Sequence, residues 1–253
     1  MYISEIEKVY VDKSTFYRNN NITSVDMKHL EFLNNDASSA FEGCKNLKRV
    51  YNLPNNFTNA CRLFIGCNDL EECPSLPDNI VDISLVCDTC NNMITAPSTL
   101  PSATQNMQGS FAHCYKLENA PIIPDEVTNM RDCFYDCRKL KAAPNIPNKV
   151  ETLRSAFDGC ALITTAPNIP SSVTNMYYTF GRCSNLAGNI FIHSDKISNV
   201  SYIFYSTSKV KDVYIPFTYA NGVNTVTYNS FKREGYTTTG TRQGVYLKDL
   251  NSL

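Results

Sequence analysis

The residues best suited to chemistry are eleven cysteines, three histidines and a few paired carboxylates. Cys87-x-x-Cys90 has the spacing of half a zinc or thiol–disulfide motif, in which two thiolates on one turn share a metal or exchange a disulfide. No second pair with a supporting histidine lies near it. His29, His113 and His193 have no neighbouring Ser, Cys or carboxylate in the order that nucleophile, base and orienting acid require. Glu71 and Glu72 are adjacent on an extended segment, so their side chains point to opposite faces. The ten glycines contain no phosphate-cradling loop; Gly43, Gly66 and Gly159 each precede a cysteine of one recurring phrase. These residues predict no enzyme, no metal and no cofactor.

That phrase is Phe-x-x-Cys-x-x-Leu. It occurs at Phe41/Cys44/Leu47, Phe64/Cys67/Leu70, Phe111/Cys114/Leu117 and Phe134/Cys137/Leu140. Variants follow at Phe157/Cys160/Ile163, Phe180/Cys183/Leu186 and Phe204/Thr207/Val210, and Cys87/Cys90/Met93 fills the gap with Cys in the Phe slot. Successive Cys slots are 23, 23, 24, 23, 23, 23 and 24 residues apart, the signature of a solenoid. Seven cysteines therefore belong to one column, and Cys73 and Cys87 take apolar slots of the same template. Cysteines stacked in a column carry parallel Cβ vectors, so buried free thiols are favoured over disulfides.

Each coil must place its phrase through a short strand and a short helix. After the Leu slot comes a small residue, then an apolar residue usually followed by Pro, as in Leu53-Pro54, Leu76-Pro77 and Ile146-Pro147. A second proline column (Pro74, Pro97, Pro121, Pro144, Pro167) falls inside the strand; proline cannot donate to a ladder, so each strand is about three residues long. Met130, Phe134 and Cys137 are spaced i, i+4, i+7, which predicts a two-turn helix on the convex side. Before the Met slot runs the column Asp36, Asn59, Asp82, Asn106, Asn129, Thr152, Asn175, Asn199, read as stacked helix N-caps. A ladder of these side chains that binds glycans or ions is the rival reading. The predicted fold class is α/β, a right-handed leucine-rich-repeat solenoid of about eight coils. With strands about 4.8 Å apart it forms a slab roughly 35 Å long, its sheet on the concave face.

VTNMRDCFYDCRKLKAAPNIP (127–147) and SVTNMYYTFGRCSNL (172–186) resemble the BspA-like leucine-rich repeats. The resemblance covers about residues 34–216. It implies attachment to host matrix, cells or other microbes, on a bacterial surface or in a phage-encoded protein, and carries no shared catalytic residues. Residues 1–33 lack the phrase and are read as an N-terminal cap or attachment segment, with MYISEIEKVYV as an alternating, strand-like run. Residues 217–253 are read as a C-terminal β-rich cap, whose Tyr219, Tyr228, Tyr236 and Tyr246 cover the open end or meet a partner.

Composition narrows the partner. Hydrophobic residues make up 43% and charged residues 19%, as in folded soluble proteins. A formal net charge of −1 argues against nucleic acid, which selects a basic face. No run approaches the ~18 apolar residues of a membrane span, so no membrane insertion is expected. The N-terminus lacks a secretory signal, which leaves a removed signal or a protein made in a cytoplasm, such as a phage virion protein. Arg49, Tyr51, Glu72, Thr95, Asn119, Thr165, Asp212 and Tyr214 fall on the outward slots of the concave sheet. This flat, mostly neutral surface suits a protein or glycan ligand. Arg131, Arg154 and Arg182 are read as scattered, solvated charges of the convex side. Two functions follow: a non-enzymatic adhesion or receptor-recognition module, favoured at a cell surface or on a virion, or an architectural subunit that assembles, with its own copies or with other proteins of a larger particle, through residues 1–33 or 217–253.

Overall fold

The computed structural model describes residues 8–217, 225–238 and 244–253. The chain winds as a parallel β-solenoid of about nine turns, with few helices. Residues 9–32 already form one coil. Strand β1 (Val9–Val11) pairs in parallel with β3 (Leu30–Phe32), and β2 (Ser24–Asp26) pairs with β4 (Arg49–Tyr51). Phe16 takes the Phe slot of this coil and stacks on Phe41 with ring centroids 4.8 Å apart. Asn19 stands where later coils have Cys, which is why the phrase does not register in the sequence.

Further strands are short, for the reason the proline columns give. Through the middle of the solenoid the ladder reduces to isolated parallel bridges such as Glu72↔Thr95 and Thr95↔Asn119. Longer strands return only where the second proline column ends, at β5 (Ala187–Phe191) and β6 (Lys209–Ile215). Rings at the Phe slot run through the core: Phe41 on Phe64, then Phe111, Phe134, Phe157, Phe180 and Phe204 in sequence, centroids 5.4 to 6.3 Å apart. Each of these rings is fully buried, worth about 1.5–3 kcal/mol of transfer free energy per ring.

The segments read as convex helices are chains of overlapping turns. In one coil Leu63, Ile65 and Cys67 donate to the carbonyls three residues back. The alternate amides of Arg62, Phe64 and Gly66 donate instead to Ser84, Val86 and Asp88 of the next coil. The cause lies in two columns of left-handed residues. Five before the Cys slot stand Ser39, Arg62, Leu85, Gly109, Asp132, Ser155, Tyr178 and Tyr202; one before it stand Gly43, Gly66, Thr89, His113, Asp136, Gly159, Arg182 and Ser206, all at positive φ. A left-handed residue every fourth position forbids an α-helix and turns alternate amides toward the neighbouring coil.

Among its described residues, the C-terminal segment read as strand-rich holds an α-helix, α1 (Val226–Arg233), and a strand, β7 (Tyr246–Asp249), which pairs with β6 in parallel and is followed by a 3-10 turn at Leu250–Ser252. Thr225 caps α1 by accepting from the Tyr228 amide at 3.1 Å. Tyr236 lies edge-on to Phe204 and Phe231 and so closes the ring column. Tyr228 packs on Phe217, and Tyr246 is exposed. Tyr219 and Asn221-Gly222 lie outside the described residues.

Candidate binding surface

The residues that looked chemical are consumed by the repeat. All eleven cysteines are unbridged, and ten are buried. Each column thiol donates to the backbone carbonyl at the Phe slot of the preceding coil. Cys67 reaches Phe41 O at 3.0 Å, Cys114 reaches Cys87 O at 3.2 Å, Cys137 reaches Phe111 O at 3.1 Å and Cys183 reaches Phe157 O at 3.0 Å. Thr207 does the same with its hydroxyl, 2.7 Å from Phe180 O, so the slot requires a small donor rather than sulfur chemistry. Burial pushes the thiols of Cys44, Cys67, Cys114, Cys137, Cys160 and Cys183 up, Cys183 to about 12, which disfavours the thiolate that metal binding or attack would need. Among the described residues no group of three or more His, Cys, Asp or Glu is placed to hold a metal ion.

The Asx/Thr column is equally structural. Every member accepts from the amide two residues on, from Asp36 with Ser38 N at 3.0 Å to Asn199 with Ser201 N at 3.0 Å. The side chains cap turns, as Asx-turns, rather than helices. Cross-coil links such as Asn129 Nδ2 to Asn106 Oδ1 at 3.0 Å join neighbouring caps.

Two faces remain exposed. On the strand face the bridges align Glu72, Thr95 and Asn119 side by side, all exposed. Thr165 is exposed two coils further along. Arg49 and Tyr51 stand on β4 at one end, with Arg49 3.0 Å from Glu71 of the next coil. Glu71 and Tyr51 hold the Arg49 guanidinium more firmly charged than usual. Asp212 and Tyr214 stand half-buried on β6 at the other end, where Tyr214 stacks on Phe191 at 5.0 Å. Beside the middle of this column Pro121, Ile123, Pro144, Ile146 and Pro147 line a shallow depression of about 460 Å³.

The turn face is richer than the sequence suggested. Arg154 lies 5.0 Å from the centre of the Tyr177 ring, and Arg138 lies 4.5 Å from that of Tyr115. Arg182 donates to Asp158 Oδ1 at 2.8 Å and lies over Tyr135 at 5.3 Å. Arg131 bonds Asp132 at 3.0 Å. Arg131, Arg154 and Arg182, read as scattered and solvated, are tied to specific partners. Tyr177, Tyr178, Tyr202 and Tyr205 form a cluster with centroids 4.8 to 6.2 Å apart. Nearby, His113 Nδ1 meets Asp88 Oδ1 at 2.9 Å over a depression of about 410 Å³ lined by Leu85, Gly109 and Tyr135. Apart from Arg131–Asp132 and Tyr177–Tyr178, these pairs are not adjacent in sequence, and only the 23–24-residue period could have suggested them.

The profile of the BspA type leucine-rich repeat region matches residues 9–141 and 104–238, six copies in all. The chain belongs to this family. A leucine-rich repeat protein from Bacteroides ovatus ATCC 8483 shares the fold of this BspA-type chain at 20% identity and a TM-score of 0.53, over 82% of this chain and 58% of that one. The chain thus spans little more than half the length of that relative. A leucine-rich cell surface protein from Faecalibacterium prausnitzii A2-165 is 14% identical over 85% of this chain and 74% of its own, at a TM-score of 0.36. The leucine-rich repeat protein of T. pallidum is 17% identical over 90% and 77%, at 0.30. No curated protein matches the sequence. Among the described residues of this BspA-type chain no helix is long and apolar enough to cross a membrane.

Proposed function

We propose that this BspA-type chain is a non-enzymatic binding module, serving adhesion or receptor recognition of a protein or glycan at a cell surface or on a virion. The observation that carries the reading is the exposed set Arg49, Glu72, Thr95, Asn119 and Thr165, of which bridges align Glu72, Thr95 and Asn119, while the thiols and Asx side chains are spent inside the coils. A rigid row of mixed polar side chains beside a proline-lined depression gives a partner many fixed contact points at little ordering cost. The test is binding of the full chain to a panel of purified glycans and matrix proteins, by surface plasmon resonance. Joint replacement of Glu72, Thr95 and Asn119 by Ala should abolish the strongest interaction without changing the melting temperature. Retained binding would move the site elsewhere.

The architectural alternative has its own observation: Val9 and Tyr10 at the N-terminal edge strand are 54% and 59% exposed. Because residues 9–32 form the first coil, removing them would uncover Phe41 and confuse assembly with unfolding. Sedimentation of the full chain and of Val9→Ser/Tyr10→Ser distinguishes the cases. A stable assembly that the double substitution dissolves supports the architectural reading; a monomer in both counts against it.

A further inference from the structure

The chain's own cations lie over tyrosines along the turn face. Among the described residues, however, none lies over Tyr178, Tyr202 or Tyr205 of the last two coils, where Tyr178 and Tyr202 stack on each other at 4.8 Å. Arg18 lies over Tyr17, Arg138 over Tyr115, Arg182 over Tyr135 and Arg154 over Tyr177, at 4.5 to 5.3 Å. Among the described residues no cation lies over Tyr202 or Tyr205, which are 43% and 50% exposed. The difference follows from position. Tyr135 sits two residues before the Cys137 slot, and its cation comes from Arg182, one residue before the slot two coils on. Tyr205 sits two residues before the Thr207 slot of the last coil that carries the phrase, and among the described residues no later coil supplies the equivalent arginine.

Backbone geometry adds an independent sign. Tyr178 and Tyr202 hold φ of 55° and 58° at a slot that other coils give to Ser39, Arg62, Leu85, Gly109, Asp132 or Ser155. A bulky ring in the left-handed region is strained. The strain at Tyr202 is not offset by full burial, since the ring remains 43% exposed. In the same coil Ser201 Oγ donates to Glu234 Oε1 at 2.8 Å, which fixes a carboxylate beside the tyrosines. Ring faces carry negative quadrupole density, which attracts a cation.

We propose that Tyr202 and Tyr205 form a docking site for a cationic side chain of a partner polypeptide, an arginine- or lysine-bearing segment that completes the pattern of the turn face. The site is separate from the strand-face column and does not depend on it. The probe is a capped Arg-Gly-Arg-Gly-Arg peptide, with its citrulline counterpart as the neutral isostere, titrated into the full chain and followed by tyrosine ring NMR shifts. The arginine peptide should shift Tyr202 and Tyr205, and citrulline should weaken binding about tenfold or more, as expected where charge is the attraction. Tyr205→Leu should weaken binding about three- to tenfold, whereas Tyr205→Phe, which keeps the ring, should retain it; Arg242, which lies outside the described residues, serves as the control, and Arg242→Gln should leave binding unchanged. Equal binding of the citrulline peptide overturns the proposal. So does a gain of affinity in Arg242→Gln, which would mean the chain covers the rings itself. Shifts of the same tyrosines by chitobiose but not by the arginine peptide would overturn it in favour of a sugar platform. The ring shifts are read in the unsubstituted protein, so the proposal stays testable if a variant fails to fold.

Discussion

Arg182 joins its own coil to the one before it: Nε donates to Asp158 Oδ1 at 2.8 Å, and Asp158 is only 7% exposed. The guanidinium continues across Gly159 to Tyr135 and to Asp136 Oδ1, 3.6 Å from Nη1. Gly159 permits the crossing, because a Cβ there would stand 2.4 Å from Asp136 Oδ1 and 3.3 Å from Arg182 Nη2. One side chain thus staples three coils on a face whose backbone bonds run only between neighbours.

Replacing Arg182 by Gln should therefore destabilise the chain by about 2 kcal/mol, since a largely buried Asp158 carboxylate loses its charged partner. Arg182→Lys should recover only part of this, because an ammonium cannot bond Asp158 and lie flat over Tyr135 together. Urea unfolding measures both; a Lys variant as stable as the parent would show that charge alone matters.

Asn129 bonds in two directions, accepting from Arg131 N at 3.0 Å and donating to Asn106 Oδ1 at 3.0 Å. Asn129→Ala should cost about 1 kcal/mol, the usual value of a lost cap. Asn129→Asp should keep the cap and lose only the cross-coil bond. Thermal melts of both variants check this, and an unchanged melting temperature in the Ala variant would remove the cap from the account.

The columns were legible because each side chain recurs where the period requires it. Phe, Cys, Leu and Asn slots needed no structure to be placed. The helix expectation failed because Met130, Phe134 and Cys137 share the i, i+4, i+7 spacing that a chain of turns also produces. The decisive left-handed positions are filled by Arg62, Leu85, Asp136 and Tyr178, which do not announce positive φ as glycine would. The first coil was hidden by Asn19 in a Cys slot. The Arg–Tyr pairs were hidden by distance, since Arg182 reaches a ring 47 positions earlier in the sequence.

Burial of the thiols makes stability depend on alkaline pH. Cys183 is raised from its ordinary 9.0 to about 12, chiefly by desolvation, and Cys67, Cys87, Cys114, Cys133, Cys137 and Cys160 are raised as well. A group whose folded value lies above its unfolded one contributes fully below the unfolded value and loses that contribution as pH rises through the folded one. Stability should be level near neutrality and fall from pH 9 toward 12, each thiol adding up to about 1.4 kcal/mol per pH unit. Melting temperatures recorded from pH 7 to 11 test this, and a flat profile would contradict it.

The thiol column should prove replaceable by oxygen but not by carbon. Cys137 Sγ is 3.1 Å from Phe111 O and gives this buried carbonyl a second bond beside that from the Cys114 amide at 3.3 Å. Cys137→Ala removes the donor and leaves a small cavity, for an expected loss of about 1–3 kcal/mol. Cys137→Ser keeps a donor, so it should lose less than Ala despite being the more polar substitution. Thr207 already demonstrates the exchange by bonding Phe180 O at 2.7 Å in the last coil. If the column served only as small apolar filler, the order would reverse and Ala would be the better tolerated. Urea unfolding of the two variants separates these outcomes, because the hydrogen-bond and packing accounts predict opposite signs for the Ser–Ala difference.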